Sequence, residues 1–213
     1  MKRRDFIQGS VAGSALLTVG GLSLSSFDTL ETKCITVLHT NDVHSHIDPF
    51  PADHPRNANM GGVARGATLI ESIRKENPNV LLLDAGDIFQ GTPYFNYYGG
   101  ELEFKLMSML NYDLATMGNH DFDNGLEGFA AQLPHAEFDF VSANYDFKNT
   151  MLDRIVKPYK TFKKAGIKIG VFGLGVELEG LVDKKNYKET IYNDPVETAQ
   201  EMTRILKTQE KCD

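Results

Sequence analysis

The chain has 213 residues, enough for one sizeable domain. Hydrophobic residues make up 41% and charged residues 24%, which is typical of a packed globular protein and excludes global disorder. The formal net charge of -7 argues against a nucleic-acid polymer as partner, because such binders carry a basic surface. Two cysteines exclude a disulfide-dense scaffold and leave open whether Cys34 and Cys212 pair.

The segment 1–27 is typical of an export signal. It begins with the basic residues 2–4, and residues 11–24 are apolar and uncharged, which is the length of a signal core and too short for a stable membrane span. The order Arg3, Arg4, Phe6 resembles the twin-arginine signal, with an ordinary secretory signal or a retained anchor as alternatives. The sequence therefore predicts export to the periplasm and a domain over residues 28–213.

Beyond residue 28, short aliphatic runs alternate with segments of helical period, which predicts an α/β fold. A hairpin turning at Ala165 and Gly166 predicts that the sheet is mixed rather than purely parallel. The predicted strands are 35–38, 80–83, 114–117, 138–142 and the hairpin 159–174, and the predicted helices are 61–77, 101–110 and 195–209. A group of aromatic residues is expected to pack the helix after the second strand against the sheet, with a stacking patch for a base as the alternative: Tyr94, Phe95, Tyr97 and Tyr98.

Polar side chains follow three successive predicted strands at the point where each strand ends. In open α/β sheets, ligand sites lie beyond the carboxyl ends of the strands, so these clusters are expected to meet in space. The three clusters are Asp42-Val43-His44, Gly86-Asp87-Ile88-Phe89-Gln90-Gly91 and Gly118-Asn119-His120-Asp121-Phe122-Asp123.

Their residue types suit a metal centre. Asp42 and His44 can bind one ion together, and mixed oxygen and nitrogen ligands favour Zn, Mn, Fe or Co. The carboxylate of Asp87 can bridge two ions, and Asn119 offers a neutral oxygen. Each cluster alone is also compatible with a turn or a helix cap, but three in succession favour the metal interpretation.

Two further residues could act on a substrate. His120 can donate a proton to a leaving oxygen or stabilise charge on a phosphoryl group, provided that a carboxylate orients it. Asp123 is the local candidate for that role. Two metal ions about 3.5–4 Å apart can clamp an in-line displacement at phosphorus and generate a nucleophile from water.

With these motifs the sequence resembles the calcineurin-like metallophosphoesterases, and within them the exported 5'-nucleotidases. The resemblance rests on the stretches 39–44, 61–65, 84–92, 118–125 and 142–144. It implies a sandwich of two mixed sheets flanked by helices and two divalent metal ions. It also implies hydrolysis of phosphomonoesters, most simply nucleoside 5'-monophosphates, by metal-activated water. The implied roles are first metal for Asp42 and His44, bridge for Asp87, second metal for Asn119, and assistance at the phosphoryl group for His120 with Asp123.

The family pattern also includes histidine ligands from later segments, and after Asp123 this chain has only His135, in a context that does not match. The sequence is therefore expected to represent the N-terminal part of a catalytic domain, with an incomplete fold. The nucleoside-binding part would be a separate C-terminal domain or chain. The alternatives are an inactive or partner-completed fragment that lacks the C-terminal histidine ligands, and a phosphodiesterase acting on cyclic or sugar-linked nucleotides.

Overall fold

A computed structural model describes residues 32–213. The predicted export signal over residues 1–27 lies outside the described residues, so the division of the chain at residue 28 stays a prediction. Among residues 32–213, none of the helices combines the length and the apolar character needed to cross a membrane.

The centre of the fold is a four-stranded parallel sheet whose strands lie in chain order. Its strands are β1 (Thr36–Thr40), β2 (Val80–Asp84), β3 (Leu114–Ala115) and β4 (Asp139–Phe140). Thr40 pairs with Asp84, and Asp84 pairs with Ala115, so the carboxyl ends of the first three strands are level with one another. The predicted strands 35–38 and 80–83 are confirmed to within two residues, whereas only the first half of 114–117 forms a ladder.

Six helices accompany the described strands. They are α1 (Val63–Glu76), α2 (Pro93–Tyr98), α3 (Glu101–Met109), α4 (Gly125–Gln132), α5 (Lys184–Tyr187) and α6 (Pro195–Thr208), with single 3₁₀ turns at His120–Phe122 and Leu133–His135. The start of α6 follows directly from its sequence, because the Asp194 side chain accepts hydrogen bonds from the N–H groups of Val196 and Glu197 at 2.9 and 2.8 Å. After α6, Cys212 is a free thiol, as is Cys34.

Two antiparallel pairs lie beside the parallel sheet. One joins β5 (Tyr145–Asp146) to β8 (Ile191–Tyr192), and the other is the predicted hairpin of β6 (Tyr159–Lys164) and β7 (Ile167–Phe172). Ala165 and Gly166 both have positive φ, 51° and 79°, which gives the backbone twist that a two-residue hairpin turn needs. The four-stranded sheet is parallel throughout, so the mixed character of the fold comes from these separate ladders rather than from one mixed sheet.

The core is rich in aromatic rings. Phe89, Phe104, Phe129 and Phe140 are 0–3% exposed, and neighbouring ring centroids lie 4.9–5.9 Å apart. Such pairs contribute about 0.5–1.5 kcal/mol each beyond the burial of their area. Phe89 comes two residues after Asp87, so this packing anchors the loop that follows β2.

The expected packing of the aromatic residues on α2 is correct for only one of them. Phe95 is buried and stacks on Phe89 at 5.2 Å, whereas Tyr97 is 83% exposed and Tyr98 45% exposed. Tyr94 donates a hydrogen bond to the Asp48 carboxylate at 2.6 Å. A single helix can direct only one side toward the core, and Phe95 occupies that side.

Candidate metal centre

Three side chains predicted as metal ligands converge beyond the ends of β1 and β2. Asp42, His44 and Asp87 each offer one ligand atom, and these atoms lie within 4.8 Å of one another. His44 Nε2 is 3.8 Å from Asp42 Oδ1 and 3.9 Å from Asp87 Oδ2. Ligands about 2 Å from a common ion lie roughly 3–4 Å apart, so this spacing fits a shared metal ion.

The orientation of the His44 ring supports the same interpretation. Its Nδ1 lies 3.2 Å from the carbonyl oxygen of Phe89, which can only accept, so Nδ1 is the donor of this hydrogen bond. This bond fixes the ring so that Nε2 faces the carboxylates of Asp42 and Asp87. A ring nitrogen and two carboxylate oxygens that converge in this way are a donor set that fits a divalent metal.

The backbone that carries these ligands is strained. Asp42, His44 and Asp87 all have φ in the left-handed region, at 51°, 44° and 55°. Non-glycine residues adopt this conformation rarely, and such residues cluster at functional sites where surrounding contacts enforce them. Here the two loops bond directly to each other, since the N–H groups of Asp42 and His44 donate to the carbonyls of Gly86 and Asp87 at 3.0 and 3.1 Å.

The loop after β3 joins the other two through its backbone. The N–H of His120 donates to Asp87 Oδ1 at 2.9 Å, while Oδ2 of the same carboxylate faces His44. Asn119 lies one residue earlier on this turn. At Gly118 a Cβ atom would overlap the Asp87 carboxylate, so the absence of a side chain there leaves room for the candidate bridging ligand.

The predicted pair of His120 and Asp123 is present. His120 Nδ1 lies 2.9 Å from Asp123 Oδ2, and the ring centroid of His120 is 5.2 Å from that of His44 in an edge arrangement. The hydrogen bond to Asp123 raises the pKa of His120 above its usual value, which favours the imidazolium form. The third loop therefore brings a proton donor to the side of the three candidate ligands.

His135, His46 and His54 have partners other than these ligands, and for His135 this is what the sequence analysis expects. Ser108 on α3 donates to the carbonyl of His135 at 3.0 Å. The rings of His46 and His54 pack on Phe50, each with centroids 4.6 Å apart.

Asp84 forms a buried network that sequence analysis missed. The hydroxyl of Thr40 donates to Asp84 Oδ2 at 2.6 Å, the N–H of Gly86 donates to Oδ1 at 2.9 Å, and the Tyr112 hydroxyl lies 2.8 Å from that of Thr40. Burial raises the pKa of Asp84 to about 6, against the opposing effect of these bonds.

Asp121 is the second residue whose role the sequence left unassigned. It is fully buried, and its carboxylate accepts four backbone N–H bonds from the loops after β2 and β3. Burial nevertheless raises its pKa to about 7. The sequence offers one indication of a structural role for Asp121, which is that this carboxylate lies within the Asn119–Asp123 cluster and yet has no assigned function there.

A parallel sheet whose first three strands end in Asp-x-His, Gly-Asp and Asn-His clusters defines a protein of the metallophosphoesterase class. The chain belongs to the calcineurin-like phosphoesterase family, whose model matches residues 35–202. It is 39% identical over 182 residues to a snake venom 5'-nucleotidase from Crotalus adamanteus, covering 82% of this chain. A solved 5'-nucleotidase precursor from Thermus thermophilus superposes with a TM-score of 0.75 at 34% identity, covering 83% of this chain. The structure of an NAD nucleotidase from Haemophilus influenzae superposes with a TM-score of 0.71 at 33% identity, again covering 83% of this chain.

The chain spans about a third of the length of these relatives. It covers 31% of the venom enzyme, 35% of the Thermus chain and 32% of the Haemophilus chain. The match therefore defines the family of this domain, and the activity of the whole relatives does not transfer with it.

Proposed function

We propose that the protein is a dimetal-dependent hydrolase of phosphomonoesters and that its substrates are nucleoside 5'-monophosphates. The observation that carries the proposal is the convergence of Asp42, His44 and Asp87 beside the His120–Asp123 pair. Family membership supports a phosphoester hydrolase, and the similarity to 5'-nucleotidases supports the nucleotide substrate.

In this proposal Asp42 and His44 would hold one ion, Asp87 would be shared with a second ion, and Asn119 would be a ligand of the second. The chemistry that Zn, Mn, Fe or Co would supply here is activation of water at neutral pH and positive charge for the phosphoryl oxygens. Asn119 is neutral, so it adds no repulsion toward an anionic substrate.

The protein's own acid is His120. Its Nδ1 proton is held by Asp123 at 2.9 Å, which orients the ring and stabilises the imidazolium. The other ring nitrogen then donates a proton to the leaving oxygen as the phosphorus–oxygen bond breaks. Removal of such a donor costs about 10²–10⁴-fold in rate.

The test is phosphate release from AMP by the full chain after metal removal and addition of Mn²⁺ or Zn²⁺. We expect metal-dependent release that falls at least about 100-fold in His120→Ala. His135→Ala is the matched control, because that residue lies beside α3, and it should retain the wild-type rate. If the wild-type chain releases phosphate no faster than His120→Ala, the proposal that these residues suffice is overturned and the partner-completed fragment is favoured.

A second candidate is a phosphodiesterase acting on cyclic or sugar-linked nucleotides. The 33% identity to an NAD nucleotidase favours keeping it, because the same site chemistry could act on a phosphodiester. Parallel assays with AMP, cyclic AMP and NAD separate the two: preference for AMP supports the phosphomonoesterase, and preference for either of the others supports the alternative.

Two further parts of the proposal concern protein outside the described residues. Since the chain covers about a third of its relatives, the nucleoside base would be held by a separate C-terminal domain or chain. Residues 1–27 would direct export to the periplasm. Replacement of Arg3 and Arg4 by lysine should retain the full chain in the cytoplasm, and unchanged export would contradict a twin-arginine signal.

A further inference from the structure

Both carboxylate oxygens of the fully buried Asp121 accept hydrogen bonds from backbone N–H groups. Its Oδ1 accepts from the N–H groups of Ile88 and Phe89 at 3.0 and 3.1 Å. Its Oδ2 accepts from those of Asp87 and Gly118 at 3.0 and 2.8 Å. One side chain thus binds three consecutive N–H groups of the loop after β2 and one of the loop after β3.

These bonds act on the backbone that carries the ligands. Three successive N–H groups that converge on one anion require a particular loop conformation, and here the first of the three residues, Asp87, has a φ of 55°. The contact is also reciprocal, because the N–H of His120, next to Asp121, donates to the Asp87 carboxylate. Each carboxylate therefore holds the loop that bears the other.

We propose that Asp121 is a positioning residue for the metal centre: it holds Asp87 and the Gly118-Asn119 turn in their ligand-binding arrangement before any ion arrives. This inference rests on the proposed function. An asparagine cannot replace it, because the amide NH₂ would face N–H groups that need an acceptor. Partners of this kind typically contribute 10–100-fold to metal affinity.

Asp121→Asn tests the proposal against a matched control, Asn144→Ser. Asn144 is also 0% exposed. Its side chain forms two hydrogen bonds, at 2.9 and 2.8 Å, with the backbone of Gly175, which follows β7 in the chain. Both variants lose buried hydrogen bonds and should unfold more easily, but only Asp121 binds the ligand-bearing loops.

The measurements are the Mn²⁺ dissociation constant of the folded full chain, by titration at a temperature where each variant is native, and kcat and KM for AMP. We expect Asp121→Asn to bind Mn²⁺ about 10–100-fold more weakly, with kcat reduced at equal metal occupancy and KM little changed, whereas Asn144→Ser keeps the wild-type values. Equal Mn²⁺ affinity in both variants and the wild type would overturn the positioning role and leave a purely structural one.

Amide hydrogen exchange in the wild-type protein gives a second test if Asp121→Asn does not fold. In the metal-free protein, the N–H groups of Ile88, Phe89 and Gly118 should be protected as strongly as those of β2. Rapid exchange that slows only when Zn²⁺ is added would show that the ion, not Asp121, orders the loops. Failure of the wild type to bind any metal would instead contradict the proposed function itself, so the two failures are distinguishable.

Discussion

The side chain of Asp123 contacts His120 at Nδ1 of the imidazole ring. Because the two residues are three positions apart on one turn, the sequence alone predicts that they meet. Three of the four bonds of Asp121 are different, since they join residues 32–34 positions apart and depend on how the loops after β2 and β3 approach each other. Motif spacing therefore predicts the contact of His120 with Asp123 but gives no indication of the residue that holds the loops together.

Asp123→Asn should lower the pKa of His120. The present carboxylate raises that pKa by accepting the Nδ1 proton, so its replacement by a neutral amide leaves less imidazolium at neutral pH. NMR titration of the ring in the metal-free full chain measures the shift, and phosphate release at pH 7 should fall roughly 10–100-fold. Asp53→Asn, an exposed acid elsewhere, serves as the control, and an unchanged titration in Asp123→Asn would refute the pairing.

Gly118→Ala should impair metal binding without a change in any ligand. The new methyl group would overlap the Asp87 carboxylate and displace it. Gly66→Ala is the matched control, because nothing lies within 4 Å of a Cβ there and the substitution is inside α1, where alanine stabilises by about 0.5–1 kcal/mol. Mn²⁺ titration of both variants should show a loss only in Gly118→Ala, and equal affinities would mean that Asp87 has more freedom than its contacts imply.

Among the elements, the ends of β1 and β2 are joined by the buried network of Thr40, Asp84 and Tyr112. Tyr112 precedes β3, so the network ties three neighbouring strands at the edge where the candidate ligands begin. A carboxylate in this place has a thermodynamic consequence, because folding raises its pKa from 3.8 to about 6.

Asp84 is therefore expected to make stability depend on pH. The folded protein binds a proton that the unfolded chain releases between pH 4 and 6, so the free energy of unfolding falls as pH rises through that range, by up to about 3 kcal/mol. Asp84→Asn should lack this component, and its stability relative to the wild type should increase from pH 4 to pH 7. Urea unfolding in EDTA at several pH values measures the difference; a constant difference would contradict a raised pKa.

The elements that the sequence predicts well are those with local signals. The helix α6 has Asp194 and Pro195 at its start, and the hairpin has Ala165 and Gly166 at its turn. The pairing of β5 with β8 escaped prediction because each strand has two residues and its partner lies more than forty residues away. The exposure of Tyr97 could not be predicted either, because the sequence of a short helix does not indicate which of its sides packs against the core.

The whole molecule has a net charge of -7, and part of its negative charge is concentrated at the edge of the sheet that carries the candidate ligands. Asp84 experiences the charges of Asp42 and Asp87, and Asp121 those of Asp84 and Asp87, so four carboxylates repel one another at one edge of the sheet. A divalent cation bound at this edge would relieve the repulsion and would link the stability of the fold to the occupancy of the site.

Mn²⁺ should therefore raise the thermal midpoint of the full chain. At a free concentration 100 times its dissociation constant, a ligand that binds only the native state stabilises by about 2.7 kcal/mol. EDTA should reverse the rise and Asp42→Asn should abolish most of it, while the exposed control Asp53→Asn should respond like the wild type. A thermal midpoint that does not change when Mn²⁺ is added would be inconsistent with a preformed ligand cluster.

The order of strands across the sheet also bears on how the protein is made. Because β1, β2, β3 and β4 lie side by side in chain order, each new strand can dock on the one that left the ribosome before it. All candidate site residues fall between Asp42 and Asp123, so all of them are synthesised before the β6–β7 hairpin. The strands that carry the candidate ligands can therefore pair with one another early during translation, and the segments that follow can pack onto a sheet that has already formed.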